Sequence, residues 1–333
     1  MNGDNWRETD PESVGVDPTC LLALGREIDA RFSSINGFVM VVRGQLVFEW
    51  YGNGFGPDDA HHVASVTKSV TSALIGIAID HGYVKGVGQK VLDFFPEAPI
   101  RAHDVLKHEV TIEHLLTMTA GFQWRTGARA YEPMLRRMWR STDWVAFILD
   151  LPILARSFGT FQYNSAASHL LSAILTQATD QCARAFANEH LFAPIGIAEV
   201  PASAPDDTGP QWPADPQGNS TGGWGLALRP RDMARFGLLY LNGGRWNGVS
   251  IVPQAWVEAS IAPHTPGYGY QWWLRDLDGV FVYTAIGRGG HHIFCVPEHE
   301  IVVAIASKQG GRWRDRWPLL AKFVIPSVAG STN

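Results

Sequence analysis

Strand-like patterns lie at both ends of this chain and helix-like patterns fill its middle, and that order restricts the folds open to it. Near the start, Gly37–Arg43 (GFVMVVR) and Leu46–Tyr51 (LVFEWY) are β-branched and aromatic runs joined across Gly44-Gln45, the pattern of a β-hairpin. Near the end, Val280–Ile286, His292–Val296 and Ile301–Ser307 read as strands, the last two joined through Pro297-Glu298-His299. The simplest way to satisfy both ends is one mostly antiparallel sheet flanked by helices, an α+β fold. Residues 1–82 and 221–333 would then form an α/β sheet domain, with residues 83–220 as an inserted helical domain and a ligand cleft between the two.

The most informative helix pattern is Ser65–Asp80, SVTKSVTSALIGIAID. Val66, Val70, Ala73, Leu74, Ile77 and Ala78 recur at helical spacing and Gly82 follows as a stop. Apolar residues on nearly every face predict burial on most sides. Further helices are expected at Thr111–Met118, Thr142–Leu149, Ser165–Ala178, Gln181–His190 and Arg231–Asn242. Ala202–Asn219, with Pro205, Pro210, Pro213 and Pro216, reads as a loop. A closing helix near Arg312–Ile325 carries Pro318 inside its pattern, which predicts a kink there.

Charge excludes one class of partner. The formal net charge is -5, so nucleic-acid binding would need a local basic stripe. The densest candidate, Arg312, Arg314 and Arg316, alternates with Trp313, Asp315 and Trp317 and reads as one turn of that amphipathic closing helix. The longest apolar windows, Ala73–Ile79 and Ile301–Ala306, are too short for a bilayer span, so no membrane role is expected. Met1–Asp10 is polar, without the apolar stretch of a secretory signal. Three dispersed cysteines, Cys20, Cys182 and Cys295, fit a reducing compartment, and a cytoplasmic location is expected.

The chemistry is narrowed first by what is missing. No GxSxG elbow, phosphate-binding loop or HExxH occurs, and Gly82–Gly88 lacks a preceding strand. His61-His62 and His291-His292 are adjacent pairs without supporting carboxylate or thiol spacing, so no metal is expected. What remains is Ser65-Val66-Thr67-Lys68. Residues three apart share a helix face, so a hydroxyl and an ammonium can meet there. Serine becomes nucleophilic when a base takes its proton, and a lysine serves as that base if burial lowers its pKa. Arginine could not substitute, because it does not deprotonate. With 18 Ser and 6 Lys in 333 residues, chance supplies roughly 0.3 such pairs, so the tetrapeptide alone is a weak signal. A lysine inside so apolar a helix is a stronger one.

The longer run His61–Glu97 resembles the nucleophile segment of the serine β-lactamase and penicillin-binding superfamily. It is most similar to the class C-like branch that includes family VIII carboxylesterases and 6-aminohexanoate-dimer hydrolases. The resemblance continues in order through Ile112–Phe122, Phe158–Leu175, Gly222–Gly248 and Gly287–Ser307. It implies Ser65 as nucleophile, Lys68 as its partner, and Tyr163 as the second-motif tyrosine that takes or relays the serine proton and delivers it to the leaving group. That role calls for a phenol acidified by a neighbouring ammonium, with Lys68 as the neighbour. The oxyanion would rest on the backbone N–H groups of Ser65 and Arg288.

Two departures matter. Many relatives read Tyr-x-Asn where this chain has Tyr163-Asn164-Ser165, so Ser165 would offer a hydroxyl to Lys68 or to the substrate. The Lys-Thr-Gly of β-lactamases is replaced by Ala285-Ile286-Gly287, which removes the main partners of a penicillin carboxylate while leaving acyl transfer intact. Gly287 and Gly289 would let a substrate approach the strand edge closely. Trp124 and Tyr131 are candidate walls of the acyl pocket, and His291 sits where relatives often place Gln. The expected activity is hydrolysis of a small-molecule ester or amide through an acyl-enzyme, without metal or organic cofactor. A β-lactamase or D-Ala-D-Ala-type peptidase, or a catalytically silent binding protein on the same scaffold, are the alternatives. No feature of the sequence sets an oligomeric state.

Overall fold

The computed structural model describes residue 6 and residues 9–100, 104–127, 131–204, 209–308 and 313–329. Expectations that touch Arg312, Pro205 and most of Met1–Asp10 fall outside these residues.

Helix α1 (Pro18–Arg31) opens the chain, capped by the Asp17 carboxylate, which accepts the Thr19 N–H. The hairpin β1 (Ile35–Val42) and β2 (Gln45–Tyr51) follows. Next come α2 (Thr67–Asp80), α3 (Ser165–Thr179) and α4 (Pro230–Leu241), with shorter helices between them, among them Ile112–Leu116 and Trp144–Asp150. The chain then returns to strands: β3 (Trp273–Leu277), β4 (Val280–Gly287), β5 (His291–Val296) and β6 (Ile301–Ser307). The six strands form one antiparallel sheet in the order β2-β1-β6-β5-β4-β3, so the two ends of the chain meet where β1 pairs with β6.

Strand alternation divides the interior into two cores. Val39, Val41, Val302, Ala304 and Ile293 point to the side that carries α2, α3 and α4, whereas Phe38, Met40, Val42, Val303 and Ile305 point to the side covered by α1 and the C-terminal helix. Every residue of β1 and β6 is buried, as continuous apolar runs covered on both faces require. Each fully buried aliphatic side chain contributes about 1.5–3 kcal/mol, so this doubly covered sheet is a stiff base for whatever sits on its edge.

The structure corrects the expected elements in several places. Ser65 is not in the α-helix: Ala64–Val66 is a 3-10 turn and α2 begins at Thr67. The closing helix starts at Trp317 with Pro318 in its first turn, where a missing N–H costs nothing, so Pro318 opens the helix instead of kinking it. Arg314 and Arg316 therefore precede that helix and are not a turn of it. Arg316 is fully buried, donating to the hydroxyls of Ser34 (2.7 Å) and Ser307 (3.2 Å). Gln181–His190 is helical only as Ala183–Ala187, followed by a wider π-type stretch, Asn188–Phe192. Helix α1 and strand β3 were not foreseen. Among the described residues no helix is long and apolar enough to cross a membrane.

Candidate active site

Ser65 sits at a strained corner. Ala64, immediately before it, has φ +49°, a left-handed conformation that a residue with a Cβ adopts at a cost of order 1–3 kcal/mol. The corner lies against the ends of β4 and β5. Gly287 makes that contact possible, since a Cβ there would stand 2.2 Å from the Val63 carbonyl oxygen. The glycine thus serves the approach of strand to nucleophile turn. Gly287→Ala is expected to lower stability by about 1–3 kcal/mol and to depress any Ser65-dependent turnover with it. Thermal melting and an ester assay on the same preparation check this; an unshifted melt would contradict the packing argument.

Lys68, the second residue of α2, is 1% exposed. Its ammonium donates to Ser65 Oγ (3.2 Å), Ser165 Oγ (2.9 Å) and the Gly223 carbonyl (2.7 Å). Burial pulls its pKa down to about 8, against a smaller opposing pull from the Glu132 carboxylate. The hydroxyl and the desolvated amine expected from the sequence therefore do converge.

Tyr163 completes the group from the far side. Its ring lies 4.9 Å under the Lys68 ammonium and stacks on Trp273 of β3, with ring centroids 5.8 Å apart. The expected acidified phenol is reversed. Burial raises the Tyr163 pKa well above its ordinary value, and a hydrogen bond with Ser65 offsets only part of that. Tyr163 is therefore a neutral phenol that can give a proton but does not arrive as a phenolate.

Local structure explains the second motif. Asn164 caps α3, its Oδ1 accepting the N–H groups of Ala166 (2.8 Å) and Ala167 (3.2 Å). That leaves Ser165, the first residue of the helix, to meet Lys68. Four residues on, buried His169 donates through Nε2 to Asp215 (2.9 Å) and accepts the Gly222 N–H at Nδ1 (3.4 Å). This anchors the loop whose Gly223 carbonyl receives the Lys68 ammonium. Gly223 has no room for a side chain, because a Cβ would lie 2.9 Å from the Ser165 carbonyl oxygen.

The other expected residues are more dispersed. Arg288 is exposed in the turn just past β4, beside the nucleophile corner. Gly289 lies in the same turn. His291 is fully buried, with Nδ1 accepting the Ser307 N–H (3.2 Å) and its pKa lowered by burial to about 3, so it is a neutral part of the sheet. Trp124 is also buried. Its indole N–H donates to Glu132 (2.6 Å), and it borders a separate cavity of about 430 Å³ together with Arg125 and Arg137. Tyr131 is 44% exposed.

Glu132 was not foreseen. Its buried carboxylate accepts from Trp124 Nε1, from the Ser165 N–H (2.7 Å) and from the Ser165 hydroxyl (2.6 Å). No local spacing links it to Ser165, 33 residues away.

Residues 31–324 match the protein family described as Beta-lactamase. The 6-aminohexanoate-dimer hydrolase of Paenarthrobacter ureafaciens is 26% identical over 322 residues, covering 87% of this chain and 77% of that protein. Among solved structures, a penicillin-binding protein homolog from Caulobacter crescentus superposes with a TM-score of 0.71 at 19% identity, covering 93% of this chain and 97% of its own. A family VIII carboxylesterase gives 0.69 at 17% identity, with 93% and 97% covered. The family model spans most of the chain and the solved structures share its fold, and this chain belongs to the beta-lactamase family of hydrolases.

Proposed function

We propose that this protein is a serine hydrolase that cleaves an ester or amide bond of a small molecule through an acyl-enzyme on Ser65. One observation carries the reading: a fully buried lysine, with its pKa near 8, stands 3.2 Å from a partly exposed serine hydroxyl. In its neutral form Lys68 takes the Ser65 proton as Oγ attacks the carbonyl carbon. The oxyanion that forms is met by the backbone N–H groups of Ser65 and Arg288. As the intermediate collapses, the carbon–oxygen or carbon–nitrogen bond breaks and the leaving group takes a proton from the Tyr163 hydroxyl; the Lys68 ammonium beside that ring then gives the phenolate the proton it took from Ser65. Water then attacks the ester on Ser65 with Lys68 again as base.

The sheet domain of residues 1–82 and 221–333 and the helical insertion of residues 83–220 would hold the substrate between them. A linear amide is a substrate class to test first, because a curated relative is named a 6-aminohexanoate-dimer hydrolase. The missing Lys-Thr pair at Ala285-Ile286 argues against a β-lactam carboxylate as natural ligand. A cytoplasmic location is part of the proposal and is supported by three dispersed cysteines, all free thiols.

Because the base is the unprotonated amine, acylation should rise with pH. The expected kcat/KM for p-nitrophenyl acetate climbs about tenfold per pH step below a midpoint near 8 and levels above it. A flat profile from pH 6 to 9 would remove Lys68 as base. Run in parallel, p-nitrophenyl esters, the linear dimer of 6-aminohexanoate and nitrocefin separate esterase, amidase and β-lactamase behaviour.

A further inference from the structure

We infer that Glu132 is a positioning residue for this reaction: by holding the proton of the Ser165 hydroxyl, it turns the lone pair of the Lys68 amine onto Ser65. The inference rests on the reading of Lys68 as base.

The argument is a count of donors and acceptors. Three groups point at the Glu132 carboxylate, namely the Trp124 indole N–H (2.6 Å), the Ser165 N–H (2.7 Å) and the Ser165 hydroxyl (2.6 Å). A backbone amide and an indole can only donate, so the carboxylate is an acceptor throughout. Ser165 has one hydroxyl proton, and Glu132 takes it. What Ser165 shows Lys68, 2.9 Å away, is therefore an oxygen lone pair. The Gly223 carbonyl, at 2.7 Å, is an acceptor by nature.

A charged Lys68 has three N–H bonds and meets three acceptors, Ser165, Gly223 and Ser65. A neutral Lys68 has two N–H bonds and one lone pair. Its two N–H bonds go to the partners that cannot donate, and the lone pair is left facing the one hydroxyl that can, Ser65 at 3.2 Å. The amine is thus aimed before substrate arrives, and the proton it takes from Ser65 Oγ becomes the third N–H of the ammonium. Among the described residues, the ionisable groups that face Lys68 are Glu132 and Tyr163, with Tyr268 behind Tyr163; both phenols are held neutral by burial.

Glu132→Gln tests the inference. An amide cannot offer acceptors to all three donors. Turned one way it opposes the Trp124 and Ser165 N–H groups; turned the other it releases the Ser165 proton to compete for the Lys68 lone pair. The plateau of kcat/KM for p-nitrophenyl acetate should fall at least about tenfold. The acid limb should also move to lower pH, because the carboxylate that favoured the ammonium is gone. Ser165→Ala should lower the plateau as well, since one N–H then turns to Ser65 for want of an acceptor. The double variant should lose no more plateau than Ser165→Ala, there being no proton left to misdirect.

A folded Glu132→Gln with the wild-type plateau, or with a lowered plateau and an unmoved acid limb, overturns the inference; the second result is what a purely structural carboxylate would give. Should Glu132→Gln not fold, Ser165→Ala decides, and a wild-type plateau there overturns it. Ser65→Ala is assayed alongside. Wild-type turnover in that variant strikes the hydrolase reading itself, which is a separate failure.

Discussion

Ser65→Ala is expected to lower p-nitrophenyl ester hydrolysis by a factor of about 10⁴ or more while the protein stays folded. The size of the loss follows from the mechanism. Without Oγ no acyl-enzyme forms, and Lys68 and Tyr163 are left with no proton to move. The two backbone amides could still polarise a carbonyl, so a small residue of catalysis above the uncatalysed rate should survive. The fold should barely respond, because Ser65 is partly exposed in a short 3-10 turn and, among the described residues, its hydroxyl meets Lys68 and Tyr163 of the site. A melting temperature within a couple of degrees of wild type is the expected control. A serine-reactive fluorophosphonate gives the complementary readout: it should label wild type on the peptide that contains Ser65 and leave the alanine variant unlabelled. Undiminished turnover in Ser65→Ala, or labelling that persists elsewhere at the wild-type rate, would take this serine out of the chemistry.

Much of this was legible from periodicity. The hairpin and the last three strands announce themselves because doubly covered strands need continuous apolar runs, and α2 does so because one cation stands among buried faces. Strand β3 hides for the opposite reason. Trp273–Leu277 is an edge strand, half exposed and carrying Arg275 and Asp276, so it has no apolar pattern to read. Yet it supplies Trp273, on which Tyr163 stacks. Arg316 misled by composition: a basic residue between tryptophans suggests a solvated helix face, whereas here it is spent on two serine hydroxyls inside the fold.

The candidate site divides along the same line. Ser65 and Lys68 are three residues apart, so a local rule could pair them. Glu132, Gly223 and His169 act on Lys68 through contacts between residues 33 to 155 positions apart, and no spacing rule reaches that far. The protonation state of Tyr163 was misjudged because charge was weighed without burial. An ammonium near a phenol lowers its pKa in water, but over the ring face of a buried tyrosine the loss of solvent prevails.

That same loss of solvent makes Lys68 costly to keep, and the cost can be measured. A lysine whose pKa falls from 10.5 to about 8 on folding still holds its proton at neutral pH, and keeping that buried charge carries a penalty of roughly 3 kcal/mol there. Lys68→Met keeps the length of the side chain, removes the charge and leaves the three donors to Glu132 in place. Activity should fall by about 10³-fold or more, since no base remains for Ser65. Stability should move the other way. The folded pKa lies below the unfolded one, so wild type carries the full penalty below pH 8, and it recovers stability as pH rises from 8 towards 10.5, where the unfolded chain still binds the proton and the native state does not. The methionine variant has no such dependence. It is expected to melt above wild type near pH 7, the margin being trimmed by the hydrogen bond that the Gly223 carbonyl loses, and the gap should close between pH 8 and 10. Melting curves of both proteins across that range decide the matter. A gap that stays constant with pH would mean that Lys68 is not desolvated as its burial implies, and a neutral amine poised beside Ser65 would lose its physical basis.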